Sequence, residues 1–270
     1  MHGELAQIVA LVSHGNPWLA RRPGYTLSLG ANSTFASARS VAFEHGPDDA
    51  HDGQRPGESA AAWLVGLRER ACGRLSVLTS DPFDAVSAAP VRAPTGTPVM
   101  GLESYRRWFL SGVIDGDVVV WKASWRVVSP RPSGGGLWHV RYEVADAEIT
   151  PAAQRTIDEA GVALEHALAD MRRFAAAPQM ASWAARFDAA LRARDDPDPQ
   201  IFGYPDLLPP GHHALAVRRL MAMCSLGWVF AQAGWWIDVS LYSDVTQAEA
   251  CTRVLHSAVL DAAQAATNSA

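Results

Sequence analysis

Hydrophobic and polar positions divide this chain into two halves near Thr150. Before it, short stretches of alternating polarity are separated by Gly/Pro-rich connections; after it, apolar residues recur at helical spacing over long runs. Leu5, Ile8, Val9 and Val12 predict an opening helix over residues 3–13, closed by His14-Gly15. Tyr25, Leu27 and Leu29 alternate with Thr26 and Ser28 at the period of a strand. After the turn signal Gly30-Ala31-Asn32, Phe35, Val41 and Phe43 share the parity of a second strand. A helix over 59–72 and a strand over 75–79 follow, with loops over 45–58 and up to Pro98.

The clearest β pattern lies between Val113 and Val144. Asp115-Gly116 is a hairpin dipeptide. Val119, Trp121, Ala123, Trp125 and Val127 then form one face of a strand, with Lys122, Ser124 and Arg126 on the other. Trp138, Val140, Tyr142 and Val144 alternate with His139, Arg141 and Glu143 in the same way. Two strands with one apolar and one charged face predict an antiparallel sheet with a single wet side.

Four helices are predicted beyond it. Thr150-Pro151 reads as the first start, with a capping hydroxyl and proline at the first position; Ile157, Leu164 and Met171 mark its apolar stripe. A second helix opens near Pro178 and a third runs from about His212 to Gly234. A fourth begins at the capping box Thr246-Gln247-Ala248-Glu249, with a frayed tail from Ala266. The fold class is therefore α+β: a sheet-containing part over 1–149 and a helical part over 150–270, packed as one core.

Composition narrows the function classes. A net charge of -5 over 270 residues gives no electrostatic footprint for nucleic acid. Lys122 is the only lysine, so arginine is the default basic residue and its pairs carry little weight. Cys72, Cys224 and Cys251 are far apart and odd in number, which fits neither a disulfide framework nor a zinc knuckle. With no signal-peptide pattern and no membrane span, the expectation is a cytoplasmic protein without a cofactor.

Three places could carry chemistry. His45, Asp48 and His51 sit in an acidic loop that could hold a metal, but a solvated acidic loop is the more ordinary reading. His14 could act as a base, but closing a helix is the more ordinary role. The third is the connection over 200–210, longer than helix–helix connections usually are. It carries Phe202, Tyr204 and Asp206 up to His212-His213, and the following helix ends at Gly234-Trp235-Trp236-Ile237-Asp238. Asp206, His212, His213 and Asp238 are the candidate acid/base groups; Phe202, Tyr204, Trp235 and Trp236 are the candidate binding residues.

Phosphate-loop, dinucleotide and nucleophile-elbow motifs are absent. Two readings follow. One is a non-catalytic protein-binding or regulatory chain, of the immunity type that neutralises a partner, its aromatics and arginines serving as anchors. The alternative is an enzyme using those Asp/His groups on a small polar metabolite. A protein partner fits better than nucleic acid, and self-association is a further option.

Overall fold

Helix α1 (Gly3–Leu19) is buried along almost its whole length, so it is enclosed by the rest of the fold. In the computed structural model, which describes residues 1, 3–44, 55–80, 107–127, 138–145, 149, 151–230 and 244–269 (apart from the Val245 side chain), α1 runs past both His14-Gly15 and Pro17. The predicted stop at Gly15 is thus overturned. A Cβ there would lie 3.0 Å from the Leu64 side chain and 3.2 Å from that of Leu75, so the glycine serves close packing and not termination. Pro17 has no N–H, which leaves the Ser13 carbonyl without its helical donor.

Among the described residues, five strands form one sheet in the order β1-β5-β4-β3-β2: β1 (Ala38–Phe43), β2 (Leu75–Thr79), β3 (Trp108–Ile114), β4 (Asp117–Val127) and β5 (Trp138–Val144). All pairs are antiparallel except β1 with β5. Asp115 and Gly116 take φ of 54° and 94°, the two left-handed positions of a type I′ turn, and join β3 to β4 where the dipeptide predicts. Trp121, Val140 and Tyr142 point into the core while Lys122, Ser124, Arg126, His139 and Arg141 face water. The wet and dry faces are those the alternation predicts, except that Val127, at the end of β4, is exposed.

The strand expected over 25–29 does not form. Tyr25, Leu27 and Leu29 still turn inward and Thr26 and Ser28 outward, yet among the described residues no strand pairs with them. Phe35 belongs to a short 3-10 turn (Ser33–Phe35), and β1 begins only at Ala38, with a bulge between Ala38 and Ser40. That bulge buries Ala38 and Val41, three residues apart, and breaks the simple parity.

Helix α2 (Pro56–Glu69) covers the dry face beside β1. Its Trp63 stacks on Phe43 at 4.3 Å and meets Trp121 edge-on at 5.4 Å. Among the described residues, the C-terminal helices are α3 (Ile157–Phe174), α4 (Ala181–Arg192), α5 (Leu215–Gly227) and α6 (Val245–Asn268). Helix α3 starts later than Thr150-Pro151 predicts. Pro151 bridges to Ser80 and the Ala152 N–H donates to the Thr79 carbonyl at 2.7 Å, so these residues extend the sheet edge. Thr156 caps the helix instead, in a reciprocal box with Glu159. Helix α5 is shorter than expected: His212 and His213 lie in the turn before it, and it ends at Gly227. The cap of α6 is the Asp244 carboxylate, accepting from the Thr246 and Gln247 N–H groups, and not Thr246.

The end of α6 is anchored, contrary to the frayed tail expected from Ala266. Asn268 accepts from the Val77 N–H and donates to the Val77 carbonyl, both at 2.8 Å. From α1, Asn16 does the same for Leu75, at 2.7 and 3.0 Å. Strand β2 is an edge strand, and its outward-pointing backbone groups are thereby paired with side-chain amides of two helices. Buried apolar residues from Leu5 to Ala266 form one cluster. Among the described residues, no helix is long and apolar enough to cross a membrane.

Candidate functional site

The connection over 200–213 folds against α1 and the 3-10 turn that follows Asn32. Asp206 is the hub. Its carboxylate accepts from the Ser33 N–H at 2.8 Å and from the Ser33 hydroxyl. Its carbonyl accepts from Asn32 Nδ2 at 2.7 Å and lies 3.0 Å from His14 Nε2. His14 is buried, and Nδ1 lies 3.3 Å from the Tyr25 hydroxyl. Since a carbonyl can only accept, Nε2 of His14 carries the proton and Nδ1 accepts from Tyr25. Burial, its largest influence, holds the His14 pKa below the ordinary histidine value. Tyr25 is pushed up to about 12 by burial and stays a neutral donor.

His212 packs edge-on against Tyr25 with ring centroids 4.8 Å apart. His213 lies deeper, and both its ring nitrogens are buried without a hydrogen-bond partner. Burial first, then the neighbouring His14, Arg22 and His212, lowers its pKa to about 4. The Ser13 backbone favours the protonated ring, and only the carbonyl, freed by Pro17, can accept from it; it does not close to a hydrogen bond of good geometry.

The structure thus brings Asp206, His212 and His213 together with His14 and Tyr25. Tyr204 diverges: its hydroxyl lies toward Gly3 and Trp125. Phe202 projects outward, 57% exposed, with its N–H donating to the Ser225 hydroxyl at 2.9 Å and the Arg186 guanidinium 5.3 Å from its ring. Trp235, Trp236 and Asp238, and the metal candidates His45, Asp48 and His51, lie outside the described residues. Among the described residues, no group of three His, Cys, Asp or Glu side chains could hold a metal ion.

A second polar point escaped the sequence reading. Glu4, in the first turn of α1, is pushed up to about 7 by burial, against the smaller opposing pull of the neighbouring Trp108 indole. Beyond Trp108, an aromatic cluster of Trp228, Phe230 and His256 is packed with centroids 4.9–6.4 Å apart. Rings this close leave no space for a ligand between them. An acidic residue in a first helical turn ordinarily complements the helix dipole at the surface, so nothing in the pattern singles Glu4 out.

Two pH effects of opposite sign follow. The Glu4 contribution to stability is fully present below pH 4.5 and is lost as pH rises through about 7. The His213 contribution is present above pH 6.5 and is lost as pH falls through about 4. Glu4→Gln is expected to remove the first of these losses, with denaturant midpoints that coincide with the parent at pH 4, separate as pH rises from 4.5 to about 7, and stay separated above it. Asp206→Ala is expected to cost about 2–3 kcal/mol, since it removes charge-assisted bonds to Ser33. Urea unfolding at pH 7 measures it, and a loss under 0.5 kcal/mol would show that the clamp is idle.

Comparison of the chain with protein-family models, with curated proteins and with solved structures finds no match.

Proposed function

We propose that this chain is a non-catalytic binding protein of the regulatory or immunity type, and that the connection over 200–213 presents its contact residue, Phe202. The observation that carries this reading is the use made of Asp206. Both carboxylate oxygens accept from Ser33 and the carbonyl from Asn32, so the expected acid/base group serves as an anchor. A general acid or base needs a free position toward substrate, whereas a contact loop needs rigidity, which lowers the entropic cost of docking. Phe202 and the neighbouring Arg186 are residue types that anchor interfaces.

A photo-crosslinking residue in place of Phe202 tests this in the cell of origin, with the same residue at Val118, 72% exposed on the sheet, as control. The expected result is one discrete product from position 202, absent from 118 and lost when Asp206→Ala releases the loop. A product of twice the chain mass identifies the partner as a second copy. Identical patterns from the two positions would sink the reading.

The alternative, an enzyme acting on a small polar metabolite, draws on one observation: the unpartnered His213 ring beside His14 and His212. It requires a conversion that His213→Gln abolishes and Phe202→Ala leaves intact.

A further inference from the structure

A groove of about 420 Å³ lies between α3, α5 and the turn that follows α4. Its size falls within the range of small-molecule sites, roughly 300–1,000 Å³. Ile157 and Val162 line it from α3, and Leu220 and Met223 from α5. Val162 is 48% exposed, so the fold leaves a large apolar side chain in contact with water here. Gly161 lines the groove as well. Glycine is a poor helix former, and packing does not call for it at this position: a Cβ would meet only Leu220 Cδ1, at an ordinary 3.9 Å. The missing side chain instead keeps the groove open.

The charged residues of the rim are unequally engaged. Arg194 pairs with Glu165, and Arg219 donates to the carbonyls of Asp196 and Asp195 at 2.8 and 3.2 Å. Both guanidinium groups therefore fasten the turn after α4 to the two helices, and the groove is formed in advance of any ligand. The Asp158 and Asp195 carboxylates are exposed and, among the described residues, have no hydrogen-bond or ion-pair partner. Asp158 is not needed as a cap, because Thr156 and Glu159 complete that of α3 between them.

We propose that this groove binds a small organic cation, an amine with an apolar body. The body lies over Gly161 between the side chains of α3 and α5 and covers Val162, while the ammonium group faces Asp158 and Asp195. An anion of the same shape would meet two carboxylates, and the guanidinium groups that could offset them are already taken by Glu165 and by backbone carbonyls. A neutral molecule would gain the apolar contact alone. Because the carboxylates are exposed, each adds at most about fivefold to affinity, and apolar burial carries the rest. The inference is independent of the role given to Phe202.

Methyl resonances of the full chain, followed by NMR at constant ionic strength, provide the test. Three probes share one apolar body and differ in charge: phenethylamine, phenethyl alcohol and phenylacetate. The expected result is saturable shifts at Val162, Leu220 and Met223, with the amine bound about tenfold tighter than the alcohol and phenylacetate weaker than both. Asp158→Asn and Asp195→Asn are each expected to weaken the amine up to about fivefold and to leave the alcohol unchanged. A role in the fold alone would not separate the two probes. Gly161→Leu fills the groove and is expected to abolish binding of amine and alcohol alike, with an unfolding midpoint no lower than the parent's, since leucine is the better helix former. Equal affinity for the three probes, amine binding unchanged in the double variant Asp158→Asn/Asp195→Asn, or shifts at Val162 that persist in Gly161→Leu would each overturn the proposal.

Discussion

Gly57→Ala is expected to destabilise the fold by about 3 kcal/mol or more, although alanine is the better helix former by about 1 kcal/mol. A Cβ at Gly57 would lie 2.0 Å from the Leu29 carbonyl oxygen and 2.9 Å from Gly30 Cα. Both are backbone atoms, and the Leu29 carbonyl also accepts from the Asn32 N–H at 3.0 Å. Either α2 withdraws from the 29–32 segment or that turn moves. The second route reaches the candidate site, because Asn32 holds the Asp206 carbonyl and Ser33 holds its carboxylate. Hydrogen exchange of the 200–213 amides should therefore rise along with the loss of global stability. Gly66 lies in the same helix with open space around it, so Gly66→Ala is expected to stabilise by up to about 1 kcal/mol. If both substitutions shift the denaturation midpoint alike, the close approach at Gly57 is not what holds α2.

The second large effect concerns the edge of β2. Asn16→Ala and Asn268→Ala each strip the partners from one backbone N–H and one carbonyl, at Leu75 and Val77. Buried polar groups left unpaired cost about 1–3 kcal/mol apiece, so each substitution is expected to cost about 3 kcal/mol. The two sites lie on the same strand two residues apart, and the double variant should be non-additive. Chemical denaturation of the four proteins gives the coupling. Costs below 1 kcal/mol for both single variants would mean that water replaces the amides without penalty.

How much of this was legible in the sequence follows from the range of the interactions involved. The β3–β4–β5 meander was readable because its cause is local: Asp115-Gly116 sets the turn, and the alternation from Val119 to Val127 sets the face. The stripe of α3 was readable for the same reason. Its start was not, because Pro151 and Ala152 are taken by Ser80 and Thr79 about 70 residues earlier; the box Thr156-Ile157-Asp158-Glu159 was the local signal to weigh instead. Residues 25–29 carry a strand pattern and the burial that goes with it, but a pattern cannot supply a neighbour. At the site, Asp206, His212 and His213 were found because the connection is long and rich in ionisable groups. The roles of His14, Tyr25 and Ser33 depend on contacts spanning up to 192 residues, and a glycine after His14 suggested a helix end where the structure has a close contact.

The amide clasp on β2 also bears on how the protein is made. Leu75 and Val77 leave the ribosome early, whereas Asn268 follows 191 residues after Val77. At synthesis rates of roughly 5–20 residues per second, that interval is on the order of 10–40 s. Throughout it the outer edge of β2 lacks its Asn268 partner and can pair with strands of other nascent chains. The outer edge of β2 at Val77 therefore cannot be covered until Asn268 has been made. A holding chaperone, or slow dilution from denaturant, should raise the yield of folded protein most when Asn268 is intact and least when the clasp cannot form.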